Sequence, residues 1–170
     1  MEIFYIFFAI CFISYMFRTF FHFLENRKSN LVKSKRIYPM ISIAMFFLWF
    51  SWFAMAFNDV FEMTLPYWLT YTGLVLFLTG VVFVVLSHTK IKGFQSKALL
   101  RSGIYSRIRH PMYLGFILWI IGFPIFLQGL LTLASAFIWV PQILYWKASE
   151  EKKLEKEYKE YEEYKKKTWF

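Results

Sequence analysis

Between Gly103 and Gly115 the chain reads Gly-Ile-Tyr-Ser-Arg-Ile-Arg-His-Pro-Met-Tyr-Leu-Gly, and its cluster of bases and one histidine stops abruptly at Pro111. Proline is well tolerated as the first residue of a helix, where its missing N–H removes no bond. From Met112 an apolar run of about 35 residues follows, too long for one bilayer crossing at ~1.5 Å per residue. His110 therefore stands at the mouth of a helix that enters lipid. The amides that open a helix have no acceptor within it, and the helix dipole places positive potential there, so this mouth attracts an anion. Polar chemistry at a membrane surface is the implied use. The competing reading of such a basic–histidine–proline cluster is helix capping and lipid anchoring.

The elements that must position this box are membrane helices. The 170 residues are 58% hydrophobic and 24% aromatic, well above ordinary soluble usage. Three apolar runs, residues 3–24, 37–57 and 65–86, are long enough to span a bilayer. The region 112–146 is broken by Gln128-Gly129, a polar and flexible pair that predicts a turn between two shorter helices. The expectation is an all-α integral membrane protein: five transmembrane helices, the last two a hairpin, then a cytoplasmic C-terminal helix. Basic loops follow the first span (Arg27, Lys28, Lys33, Lys35, Arg36) and the third (Lys90, Lys92, Lys97, Arg101, Arg107, Arg109). The loop after the second carries Asp59 and Glu62 and no base. Basic loops stay inside, which predicts an outside N-terminus and a cytoplasmic C-terminus.

The formal charge of +9 belongs to these juxtamembrane loops, so anionic lipid headgroups, not nucleic acid, are the expected partners. The first segment lacks the basic start and small-residue cleavage site of a removed signal peptide. A single cysteine, Cys11, excludes a disulfide framework and a cysteine-built metal centre; no metal is expected. Arg18 and His22 lie one turn apart near the inner end of the first span and are read as snorkelling toward lipid phosphates. Trp49, Trp52, Trp68, Trp119 and Trp139 are read as packing or lipid-facing residues. Beyond Lys147 the composition turns to Lys, Glu and Tyr. Leu154, Tyr158 and Tyr161 recur at helical spacing, with Glu155–Lys159, Glu162–Lys166 and Glu163–Lys167 as i,i+4 pairs. With no glycine or proline between, the fifth helix is expected to run on unbroken into this tail. Its aromatic stripe needs a surface to cover, and the basic loop before His110 is the nearest.

Arg109-His110-Pro111-Met112-Tyr113 with Gly115, then a hairpin, then Glu150-Glu151, then Leu154, Tyr158, Tyr161 and Tyr164, resembles the isoprenylcysteine carboxyl methyltransferase family and its phospholipid methyltransferase relatives. The resemblance runs from about Lys97 to the C-terminus. It implies one membrane-embedded methyltransferase domain over residues 1–170, with spans and loops in 1–96 and a cofactor-binding half in 97–170. It implies S-adenosylmethionine as methyl donor, contacted by Lys97, Ala98, Leu99, Leu100, Tyr105, His110, Pro111, Met112, Tyr113 and Glu150, with Arg109, Glu150 and Glu151 as the catalytic set. The donor's carboxylate suits the helix mouth beside Arg109, its ribose or ammonium suits Glu150, and its adenine suits an aromatic wall of Tyr105 and Tyr113. The implied acceptor is lipidic and enters from the bilayer.

Three departures bear on that acceptor. The position where the family commonly has a substrate arginine holds Trp146, with Lys147 beside it, so these two are the substrate-binding candidates. Tryptophan cannot pair with a carboxylate. The Phe-Gly turn common before the tyrosines is replaced by Tyr158-Lys159, which predicts an unbroken helix, and the loop from His88 to Leu99 is short. By resemblance the leading acceptor is the carboxylate of a prenylated cysteine. The amine of a phospholipid headgroup is the alternative, and a non-catalytic membrane subunit is a third reading.

Overall fold

The computed structural model describes residues 2–27, 37–91 and 99–170, and among them the regular structure is helical, without strands. The described residues form six helices: α1 (Glu2–Arg27), α2 (Ile37–Phe57), α3 (Tyr67–Lys90), α4 (Pro111–Leu127), α5 (Leu130–Glu157) and α6 (Tyr161–Lys167), with a 3-10 turn at Gly103–Ser106 before α4. Segments Glu2–Leu24, Pro39–Phe57 and Tyr67–Lys90 are long and apolar enough to cross a membrane, and α4 is a shorter apolar helix. This is a membrane protein. The chain divides into two compact units, Met1–Thr64 with Leu127–Thr132, and Leu65–Phe126 with Leu133–Phe170.

In the first unit α1 packs on α2. Phe4, Cys11, Ser14, Tyr15 and His22 of α1 are buried, and their spacing keeps them on one stripe of the helix. Leu48, Ser51, Trp52 and Met55 supply the buried stripe of α2, while Ile6, Ile13, Phe20, Phe46 and Phe50 face outward, as a lipid-facing surface requires. His22 lies on the buried stripe, which corrects the expectation that it snorkels to lipid.

Asp59 organises the rest of this unit. Its Oδ2 accepts the Thr132 amide at 2.7 Å and the Thr132 hydroxyl at 2.6 Å, and its Oδ1 accepts Leu131 N at 3.3 Å and Phe61 N at 3.1 Å. The carboxylate therefore caps the first turn of α5 from a distant part of the sequence. Main-chain bonds Met63 N to Gln128 O (2.6 Å) and Leu130 N to Phe61 O (2.8 Å) flank it. The Gln128-Gly129 turn forms as expected. Gln128 takes the positive φ of 61°, and Gly129 is required for a different reason: a Cβ there would lie 2.7 Å from Asp59 Oδ2.

In the second unit, α3 and α4 meet through glycine. A Cβ on Gly80 would stand 2.6 Å from Gly115 O and 2.5 Å from Trp119 Cδ1, and one on Gly122 would stand 2.7 Å from Gly73 O and 2.6 Å from Phe77 N. Two glycines seven residues apart on one helix thus face two, seven apart, on the other, and the backbones touch.

The tail departs from the expected unbroken helix. α5 does continue past the apolar stretch to Glu157, but the chain turns at Tyr158–Glu160 before α6. The physical reason is the burial of Tyr161 and Tyr164, which a straight helix would leave in water. Glu163–Lys167 pairs at 2.6 Å as expected, whereas Glu155, expected to meet Lys159, pairs with Lys165 at 2.8 Å across the turn. Of the predicted stripe only Tyr161 is buried, against His110; Tyr164, outside that stripe, is the buried residue that reaches the loop, at Tyr105 O.

Two expected outcomes test these seams by thermal unfolding in detergent. Gly80→Val forces backbone apart at α3–α4 and should lower stability by about 1–3 kcal/mol or more. Asp59→Ala removes the cap of α5 and should lose about 1–2 kcal/mol; an unchanged melting temperature would contradict either assignment.

Candidate active site at the mouth of the fourth helix

Pro111 opens α4, as the sequence predicts, and the first main-chain bond of the helix runs from Leu114 N to His110 O at 3.1 Å. The amides of Met112 and Tyr113 therefore lie ahead of the helical ladder, on the side that favours anions. One turn in, the Tyr113 hydroxyl donates to Glu150 Oε2 at 2.8 Å. Glu150 belongs to the charged extension of α5, so hairpin geometry returns the acidic pair to the mouth of α4. No salt bridge joins Glu150 to a cation among the described residues.

Glu151 is bound differently. Its Oε1 accepts Arg109 Nε at 3.1 Å and lies 3.5 Å from Lys147 Nζ and 3.4 Å from His110 Nε2. Burial pushes its carboxyl up, but the Arg109 bond, Lys147, His110 and the Arg109 charge outweigh that and hold it below the ordinary value. For His110 burial dominates and lowers the imidazole, against the raising effect of Glu150 and Glu151. At neutral pH His110 is uncharged, and its contact with Glu151 is a long hydrogen-bond approach, not an ion pair. The Tyr161 hydroxyl lies 3.4 Å from the same Nε2. That nitrogen accepts from Tyr161 or donates to Glu151, according to tautomer, and not both at once.

Arg109 reaches further. Its Nη1 donates to Lys165 O at 3.0 Å, to Thr168 O over a very short contact, and to Thr168 Oγ1 at 3.4 Å. Main-chain bonds Arg109 N to Trp169 O (3.1 Å) and Trp169 N to Arg107 O (3.0 Å) add a small parallel bridge. Tyr164 donates to Tyr105 O at 2.5 Å, and Ser87 of α3, whose hydroxyl donates to Phe83 O at 2.6 Å, lies close to the Tyr105 phenol. Burial raises the phenols of Tyr105, Tyr161 and Tyr164, which stay protonated as donors.

A family model for phospholipid methyltransferases matches residues 68–161, more than half of the chain. The chain belongs to the phospholipid methyltransferase family. No curated protein and no solved structure matches it. Members of this family are methyltransferases, and the match takes in Arg109, His110, Tyr113, Glu150, Glu151 and Tyr161. It stops short of Tyr164, Thr168 and Trp169, and it leaves out α1 and α2.

Of the site residues expected from sequence in this family member, Tyr105, Arg109, His110, Pro111, Tyr113, Glu150, Glu151 and Lys147 converge in the second unit. Met112, Leu99 and Leu100 are half-buried, and Lys97 and Ala98 lie outside the described residues. Trp146 is buried in α5, and Lys147 approaches Glu151 and stands 4.7 Å over the Phe170 ring. Three neighbours escape sequence reasoning. Ser87 looks like a helix-end serine, Thr168 and Trp169 follow no periodicity, and only the packing brings them to Tyr105 and Arg109.

The burial of neutral His110 has a consequence of definite sign. Its folded pKa lies below the ordinary 6.5. The unfolded chain therefore binds more protons as the pH drops through 6.5, and the stability present above that value is lost on acidification. Glu151, also depressed, adds a loss of the same sign at lower pH, below about 4.5. The melting temperature should fall between pH 7 and 5.5, and His110→Gln should flatten that profile; identical profiles in the two proteins would refute a buried neutral His110.

Proposed function

We propose that this protein transfers a methyl group from S-adenosylmethionine to an acceptor carried in the bilayer, at the cytoplasmic membrane face. The observation that carries the reading is the meeting of the α4 mouth with Glu150 and Glu151 beside a buried aromatic cluster. The donor set fits the cofactor. Met112 and Tyr113 amides suit a carboxylate, Glu150 suits an ammonium or ribose hydroxyls, and Tyr105 and Tyr113 suit a purine. When bound, the cofactor supplies an electrophilic methyl group. The residues around it bind, orient and exclude water, which is most of what an in-line methyl transfer needs.

The proposed setting is five crossings, with α4 and the apolar part of α5 as the hairpin, the N-terminus outside and the C-terminus in the cytoplasm. The positions of the basic residues support it. Anionic headgroups are the proposed lipid partners of the basic loops.

The acceptor we favour is the amine of a phospholipid headgroup. A carboxylate acceptor needs a free cation, but Arg109 is spent on Glu151 and the tail, and Lys147 is shared between Glu151 and Phe170. An ammonium instead needs a carboxylate to attract it and to take its proton, and Glu150 forms no salt bridge among the described residues. The carboxylate of a prenylated cysteine is the second reading. It is favoured by Lys147, which stands beside Trp146 where relatives place an arginine.

Isothermal titration with S-adenosylmethionine tests the core of this reading. Glu150→Gln and His110→Ala should each weaken binding about ten- to hundred-fold in protein that still folds, the size of one or two charge-assisted hydrogen bonds. Absence of affinity in the unaltered protein, with no label passed to any lipid extract, would leave the non-catalytic reading. With labelled donor and a lipid panel, base-stable label on an aminophospholipid identifies the amine, and base-labile label identifies an ester.

A further inference from the structure

His110, which faces the proposed donor, is covered. His110 is 5% exposed and Tyr161 1%, and the 3.4 Å between the Tyr161 hydroxyl and His110 Nε2 leaves no room for a ligand atom. The cover comes from residues 161–170, which are pinned at Arg109, at Tyr105 through Tyr164, and at Glu155 through Lys165. We propose that this segment is a strap over His110, that Arg109 is its clasp, and that the strap must lift before His110 can take the donor. This rests on the methyltransferase reading above.

The strap is built to open locally. α6 has seven residues, far below the roughly 12–15 an isolated helix needs, so it is helical only while docked. It is anchored by two buried rings, Tyr161 and Tyr164, while Glu162, Glu163, Lys166, Lys167 and Trp169 are exposed. The turn at Tyr158–Glu160 separates it from α5 and supplies a hinge. Its pins are polar: the forked donors of Arg109, the two main-chain bonds of Trp169, and the exposed Arg101–Glu160 pair at 2.8 Å. Residues 162–170 lie beyond the stretch that the family model matches. Arg109 in this account is a positioning residue. It acts on the donor site through the tail it holds.

A disulfide between Ile108→Cys and Trp169→Cys, partners in the parallel bridge, locks the strap, and the native Cys11 is itself buried. The reduced double variant should take S-adenosylmethionine at the rate of the unaltered protein, the oxidised one at least about tenfold more slowly, with reductant restoring the rate. Equal association rates in the two states would overturn the proposal. Hydrogen exchange is an independent measurement that needs no donor. Arg109 and Trp169 amides should exchange faster than those of mid-α4, and Arg109→Gln should speed them at least about tenfold while α4 and α5 stay unchanged. Arg109→Lys, which keeps the charge without the fork, should fall between. Exchange of the strap only at the rate of global unfolding would overturn the proposal too. If the unaltered protein takes no donor, fast strap exchange still upholds the strap, and the failure falls on the methyltransferase reading.

Discussion

Arg109 and Glu151 form a nearly buried ion pair, with side chains 11% and 14% exposed, at the point where the entrance to α4, the extension of α5 and the tail all meet. Removing two charges from water is costly, and such a pair adds little net stability over a well-packed apolar one. Its value lies in direction. A guanidinium offers donors in a fixed fork, so Nε aimed at Glu151 sends Nη1 to the carbonyls of Lys165 and Thr168. An apolar contact would hold the same elements together without fixing which carbonyl sits where. The orientation of Tyr161 toward His110 follows from that fork.

The acidic pair divides the labour that follows. Glu151 is neutralised by Arg109 and Lys147, and its position is structural as much as electrostatic. Glu150, one residue away, accepts from the Tyr113 hydroxyl and forms no salt bridge among the described residues. Successive residues on a helix lie about 100° apart, so adjacent glutamates necessarily meet different neighbours. His110 completes the set as a neutral group in a strongly charged neighbourhood, kept so by burial.

Much of this was legible in the residues, and the part that was not has a common cause. The apolar runs, the polar break at Gln128-Gly129 and the proline at the head of α4 are local signals, and each fixed its element. The return of Glu150 and Glu151 to His110 was implied by the resemblance of the box, hairpin and acidic pair to a known family. Long-range partners left no such trace. Asp59 read as a surface charge on an outer loop until the first turn of α5 was found bonded to it. The break at Tyr158–Glu160 contradicted a sequence with good helix formers and no glycine, because burying two tyrosines outweighed a few residues of helix propensity. The seven-residue spacing of Gly73 with Gly80 and of Gly115 with Gly122 was visible, but a spacing of glycines gains meaning only when a second helix presents its own.

That paired spacing acts as an axial ruler. Where backbones touch at glycine, neighbouring positions carry side chains too large for the gap, so α4 cannot slide along α3 by one residue or one turn without collision. Gly115 lies five residues beyond His110, and Gly80 lies seven before Ser87, which lies close to the Tyr105 phenol. The two glycine contacts thereby set the level at which His110 and Tyr105 stand relative to each other along the helix axes. The depth of the polar mouth is a property of the bare backbone, and residues that never touch a ligand determine it.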